Sequence, residues 1–275
     1  MYATDFEYDG LALSDFGMMI GSFSSPGVET VNSGASINFQ TFRPAGSERF
    51  RFYGGKYEES FTAVFQICKC PWTADSPYLS PVEVSALQRW LCRKDGYHKL
   101  HFMSKEHADI YWNAVFSSRQ INVSGRTAGL ELTLYTDAPY AYRKEQTNTW
   151  TLSPGGSFFI YDTSDEEGYI YPLVTIQWRG SQSNSGKIKL SNSMDHEDFP
   201  LLLQGFSAND IITLDGASKI ITSSPKRTDL HAHFGFHFPR IINTLECREN
   251  VFTLSADSVP CKISFTYSPI IKTGI

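Results

Sequence analysis

Leu130-Glu131-Leu132-Thr133-Leu134-Tyr135 sets a leucine at every second position. Side chains of an extended strand alternate between faces, so this period puts three leucines on a core and turns Glu131, Thr133 and Tyr135 outward. The same period recurs upstream. Phe61, Ala63, Phe65 and Ile67 share one face, and Arg49-Phe50-Arg51-Phe52-Tyr53 alternates until Gly54-Gly55, which reads as a turn. Nearer the start, Phe6 and Tyr8 alternate with acids as far as Asp9-Gly10, a hairpin dipeptide, before Leu11 and Leu13 resume.

One helix interrupts the strands, over about residues 80–95. Ser80-Pro81-Val82-Glu83 supplies an N-cap, a proline at the first helical position and the acid of a capping box. Val84, Leu87, Trp90 and Leu91 then fall on one helical face, and Gly96 is the expected stop. After Ala138-Pro139-Tyr140-Ala141-Tyr142 the composition shifts. The stretch from Arg143 to Gly156 is polar and ends in Ser153-Pro154-Gly155-Gly156, which predicts a domain boundary there and two domains, 1–143 and 144–275. Beyond it no helical period is visible. Strands are expected over 169–178, 187–190, 210–214, 219–222, 228–238 and 260–267, a spacing that favours a β-sandwich. The fold class is therefore mostly β, an N-terminal β-domain with one α-helix followed by a C-terminal sandwich.

Composition narrows the function. Hydrophobic residues make up 41%, enough to fill cores, and charged residues only 19%, which suggests surface covered by a partner. A net charge of −5 without a basic block argues against a grip on nucleic acid. The N-terminus, Met1-Tyr2-Ala3-Thr4-Asp5, has neither a basic nor an apolar leader region, and no apolar run is long enough for a membrane span. A soluble protein made in a cytoplasm is expected. Five cysteines, Cys68, Cys70, Cys92, Cys247 and Cys261, are an odd number and read as reduced structural thiols.

The sequence contains no phosphate-binding loop, zinc-protease, dinucleotide or serine-elbow motif. The most tempting site is His231-Ala232-His233-Phe234-Gly235-Phe236-His237. On a strand, His231 and His233 would share a face, with His237 about 13 Å from His233 and out of the same metal shell. Solvated histidines over an apolar face are the simpler reading, and no metal or cofactor is expected. Asp162-Thr163-Ser164-Asp165-Glu166-Glu167-Gly168 lacks the spacing of a calcium loop and reads as a solvated turn between Phe158–Tyr161 and Tyr169–Tyr171. Trp150 and Trp178 are candidates to stack on a sugar, and Asp162, Asp165 and Glu167 candidates for a glycosidase carboxylate pair.

Phe6-Glu7-Tyr8-Asp9-Gly10 followed by Leu13-Ser14-Asp15-Phe16-Gly17-Met18-Met19-Ile20 resembles the opening of siphophage distal tail proteins. The strand from Leu132 into Pro139-Tyr140-Ala141-Tyr142 is similar to the close of their N-terminal domain. Tyr171-Pro172, Lys187–Asn192, Asn209–Asp215 and Lys262–Tyr267 follow in the order of their C-terminal half. The resemblance implies a non-enzymatic virion protein of the tail tip, assembled in the bacterial host cytoplasm. It implies a homo-hexameric ring formed by the N-terminal domain and a galectin-like C-terminal sandwich. The implied partners are the major tail or tube protein and a tail-associated lysin or tip protein, with DNA only in transit and no membrane. Within that frame Arg49, Arg51, Tyr53, Gly54 and Gly55 are the candidate ring or partner interface, since basic and aromatic residues alternate there; an ordinary hairpin within the domain is the other reading of the same stretch. A carbohydrate-binding module that adheres to host-wall glycans is the alternative.

Overall fold

A computed structural model describes residues 3–23, 34–179, 186–207, 210–244 and 246–274. Met1, Tyr2 and Asn209, quoted above, lie outside the described residues. The chain is mostly β and divides into two compact units, Met1–Arg143 with Ile271–Ile275, and Lys144–Ile270.

The first unit is built on an antiparallel sheet. Its strands run in the order Leu11–Ala12, Phe6–Tyr8, His98–Phe102, Ile110–Val123, Arg126–Thr136, Thr62–Lys69 and Met18–Gly21. Asp9-Gly10 makes the first hairpin with φ of 52° and 78°, the left-handed pair that a two-residue connection requires. The leucines of the opening stretch face the core as their period demands: Leu130, Leu132 and Leu134 are fully buried. Around them lie Phe6, Phe65, Phe102, Phe116 and Trp112.

The helix spans Pro81–Leu91 and buries Val84, Leu87, Trp90 and Leu91. Trp90 stacks on Phe6 at 5.8 Å and on Phe16 at 4.5 Å, while its indole N–H donates to the Tyr8 carbonyl at 3.0 Å. The helix ends at Cys92 rather than at Gly96, which lies beyond it in the following connection with a φ of 133°. Both halves of the capping box form: the Glu83 amide donates to Ser80 Oγ at 3.3 Å, and the Ser80 amide to Glu83 Oε2 at 2.6 Å.

Lys69 Nζ lies 2.7 Å from the same carboxylate. Its hydrogen bond, with that from the Ser80 amide, holds Glu83 down at about 2, against an ordinary 4.5. A depressed pKa contributes stability that is complete above pH 4.5 and is lost as the pH falls toward 2. Glu83→Gln should therefore flatten this part of the acid-stability curve. At neutral pH it should cost less than about 1 kcal/mol, because the carboxylate is nearly half-exposed and screened. Urea melts at neutral and acid pH read both effects.

The second unit packs two antiparallel sheets on one core. One orders Gln146–Leu152, Cys261–Tyr267, Leu173–Trp178, Ile211–Asp215 and Ile220–Ser224; the other orders Ser157–Tyr161, Glu249–Leu254, Lys187–Asn192 and Leu201–Gln204. Val174, Ile176, Ile188, Leu190, Phe252, Leu254, Ile263 and Phe265 alternate inward from both. The polar stretch after Arg143 is not a linker. Gln146–Leu152 is an edge strand whose outward hydroxyls pair across the sheet, Thr147 with Thr266 at 2.9 Å and Thr149 with Ser264 at 2.7 Å. The expected strand over 169–178 breaks at Tyr171-Pro172 into Gly168–Ile170 and Leu173–Trp178.

The expected strand over 228–238 is absent. Leu230–His233 is a single helical turn, and only Phe234 bridges to another strand, at Leu203. Local ion pairing overrides the apolar alternation: Asp229 binds Arg227 and, four residues on, His233 Nε2 at 3.0 Å, a spacing that closes a helical turn. His231 and Ala232 are both exposed, so the histidines share no strand face.

Candidate assembly surface

Ile37–Phe42 and Arg51–Tyr57 form a two-stranded hairpin that joins no other strand among the described residues. The intervening segment is tied by Arg43, whose Nε donates to the Ser47 carbonyl at 2.7 Å and whose guanidinium meets Glu48 at 3.3 Å. Gly54-Gly55 is not the turn. Both glycines lie inside the second strand, where the register shifts opposite Gln40 and Thr41. Gly54 takes a φ of 126°, open to glycine almost alone, and so carries the irregularity. Gly55 leaves room for the partner strand: a Cβ there would sit 2.9 Å from Ile37 Cγ2 and 3.4 Å from the Phe39 ring.

The hairpin's surface is unusually apolar. Phe39, Phe42, Phe52 and Tyr53 are 54–65% exposed, and Phe50 in the connection is 66% exposed. Among the described residues their ring contacts are with one another, Phe39 with Phe52 at 6.1 Å and Phe42 with Tyr53 at 6.3 Å. Arg49 and Arg51 are exposed beside them and, among the described residues, have no carboxylate partner. Two strands alone are barely stable in water, and exposed aromatics interleaved with arginine are the composition of a surface that becomes buried on assembly.

The five residues singled out from the sequence thus sit together on this hairpin. Ile37, Phe39 and Phe42 were missed. Their only signal is the short alternation Ile37-Asn38-Phe39, too brief to read alone.

The other candidates disperse. Trp178 is 2% exposed, and Trp150 stacks on Phe158 at 4.0 Å, so both indoles are committed to the second core. The acidic stretch is not wholly solvated, because Asp162 and Ser164 are completely buried. Asp162 Oδ1 accepts from Ser164 Oγ at 2.9 Å, and Oδ2 from Asn243 Nδ2 at 3.0 Å. The Ser164 carbonyl accepts from Arg248 Nη1 at 3.0 Å, and Ser164 Oγ from the Ile270 amide at 2.9 Å. The nearby Tyr267 phenol is raised to about 12 by burial and then by the Asp162 charge. This is an internal strut, and it removes Asp162 from any carboxylate pair across a cleft. No group of three or more metal-ligating side chains converges among the described residues, and no helix there is long and apolar enough to cross a membrane.

Residues 1–138 match the family described as phage tail protein N-terminal domain, and residues 140–267 the phage tail C-terminal domain. No curated protein matches the sequence. Among solved structures, the chain is similar to the Dit protein of phage SPP1, described as a paradigm of hub adsorption apparatus in phages infecting Gram-positive hosts. The TM-score is 0.65 at 12% identity, covering 96% of this chain and 98% of that one. It is also similar to a chain of the phage P2 baseplate in its activated conformation with calcium, with a TM-score of 0.54 at 9% identity over 97% and 98%. The strontium form of that baseplate gives the same TM-score and identity, over 96% and 97%.

Proposed function

Because this chain belongs to the phage tail protein family, we propose that it is a structural hub of the tail tip. In this reading six copies close into a ring that joins the tail tube to the tip or baseplate proteins. The role is mechanical and needs no catalysis. The aromatic hairpin carries the proposal: an arm with no further strand partner among the described residues of its own unit needs a surface elsewhere. In a head-to-tail ring every arm finds the same surface on the next copy, and rotation closes the contact. Arg49, Arg51, Tyr53, Gly54 and Gly55 lie in that contact, together with Phe39, Phe42 and Phe50.

The similarity in fold to a protein described as a hub supports the same role. The partners are then a second copy of the chain, the tube protein above and a tail-associated lysin or tip protein below, brought together in the host cytoplasm. DNA passes only in transit. A net charge of −5 per chain lets an acidic lumen repel phosphate, and a basic lumen in a ring structure would refute that part. Negative-stain electron microscopy of the concentrated protein tests the whole reading. Six-fold rings with a central hole are expected; a different closed symmetry, or particles lacking the chain at the tail tip, would overturn it.

A further inference from the structure

Four connections of the second unit meet around a half-open cleft of about 440 Å³. Tyr171 comes from the break between strands Gly168–Ile170 and Leu173–Trp178. Asp195 and Phe199 come from the segment after Lys187–Asn192, Lys219 from the turn before Ile220–Ser224, and Phe236 and Arg240 from the segment before Ile241–Asn243. The sandwich core uses neither Phe199 nor Phe236; they are 47% and 66% exposed.

The walls are fixed in advance. Arg240 donates to both Asp195 oxygens, from Nε at 2.8 Å and Nη2 at 2.7 Å, and the Asp195 side chain is only 8% exposed. Burial works against that carboxylate, yet the hydrogen bonds from Arg240 hold it below its usual range, so the pair stays ionised. The guanidinium lies 4.2 Å over the Tyr169 ring, and the Lys219 ammonium 3.1 Å over Tyr171. Lys219 and Phe236 both adopt left-handed backbone, with φ of 57° and 61°. Such a conformation costs a side-chain-bearing residue strain, and retained strain clusters where a ligand is held.

The chemistry selects the occupant. The cleft has the volume of a small-molecule site and is too confined for a protein surface. Exposed phenyl rings suit the C–H face of a sugar ring, and the Asp195–Arg240 pair holds the polar wall of the cleft in place. Arg240 is already neutralised, whereas Lys219 has no carboxylate partner among the described residues and leaves one positive charge over the opening. We propose that this cleft binds an acidic saccharide, with a sugar ring on Phe236 and Phe199 and its carboxylate or phosphate at Lys219. Neither tryptophan considered above takes part, and the proposal holds whether or not the chain forms a ring.

Titration calorimetry on the full chain, with a glucuronate-containing disaccharide, glucose 1-phosphate and neutral maltose, tests it. At least one anionic probe should bind, about tenfold tighter than maltose. Binding of only the glucuronate probe, or only the phosphate, names the source of the charge and supports the proposal either way. Phe236→Gly and Lys219→Asn both tolerate the left-handed backbone, and each should weaken the anionic probe by about tenfold with the melting temperature unchanged. No heat from either anionic probe at millimolar concentration would overturn the proposal. So would maltose binding equally well, affinity untouched by both variants, or a tetraglutamate peptide binding as tightly as the sugars.

Discussion

Replacing Phe39, Phe52 and Tyr53 together by serine should leave a folded, monomeric protein that no longer assembles. The three rings stand 62–65% exposed, and their ring contacts among the described residues stay within the hairpin, so the isolated chain gains little from them. Covering what is exposed of each ring is worth about 2–3 kcal/mol. The triple change then removes on the order of 6 kcal/mol from each interface, about four decades in association constant. Mass photometry of the purified protein reads the loss directly, and incorporation into tail particles reads it where the tube templates assembly. The melting temperature separates the alternatives. If it falls sharply while assembly persists, the hairpin belongs to the monomer's own fold and the interface lies elsewhere.

The same hairpin shows where the sequence stops being legible. Asp9-Gly10, the Ser80–Glu83 cap and the leucines from Leu130 to Leu134 were readable because their determinants lie within a few residues of each other. Of the alternating stretch Arg49–Tyr53 only Arg51–Tyr53 is strand, and Gly54-Gly55 was not readable as strand interior. Its reason is Ile37 and Phe39 on the facing strand, which need the space a side chain would fill. Over 228–238 the apolar alternation was real and the inference false, because Asp229 pairs locally with Arg227 and His233. Asp162 looked solvated among acidic neighbours, yet its side-chain partner Asn243 stands 81 positions away. The cleft left no signal at all, since its residues come from four separate connections.

Asn250→Leu should be the most damaging single change in the second unit. Asn250 is completely buried and acts as a piece of β-ladder on the edge of strand Ile241–Asn243 that is not paired with Gly168–Ile170. Its Oδ1 accepts from the Ile242 amide at 2.8 Å and from Asn192 Nδ2 at 2.8 Å. Its Nδ2 donates to the Ile242 carbonyl at 2.8 Å, so one side chain satisfies both backbone groups of Ile242. Leucine keeps the same branched skeleton but leaves an amide, a carbonyl and part of the Asn192 amide without partners in a site closed to water. Each orphaned group costs about 1–3 kcal/mol, so the total is on the order of 5 kcal/mol, comparable with the whole stability of many domains. Asn250→Asp keeps the acceptor and loses the donor, and should fall between. Hydrogen exchange at the Ile242 amide is the sharpest readout: its protection should collapse in the leucine variant and survive in the aspartate one. A loss below about 1 kcal/mol in the leucine variant would mean that Ile242 finds other partners. Asn192 Nδ2 also donates to the Arg240 carbonyl at 2.9 Å, immediately before Ile241–Asn243. The network under Asn250 therefore holds the wall of the acidic-saccharide cleft, and a partly folded Asn250 variant should lose sugar binding before it loses the sandwich.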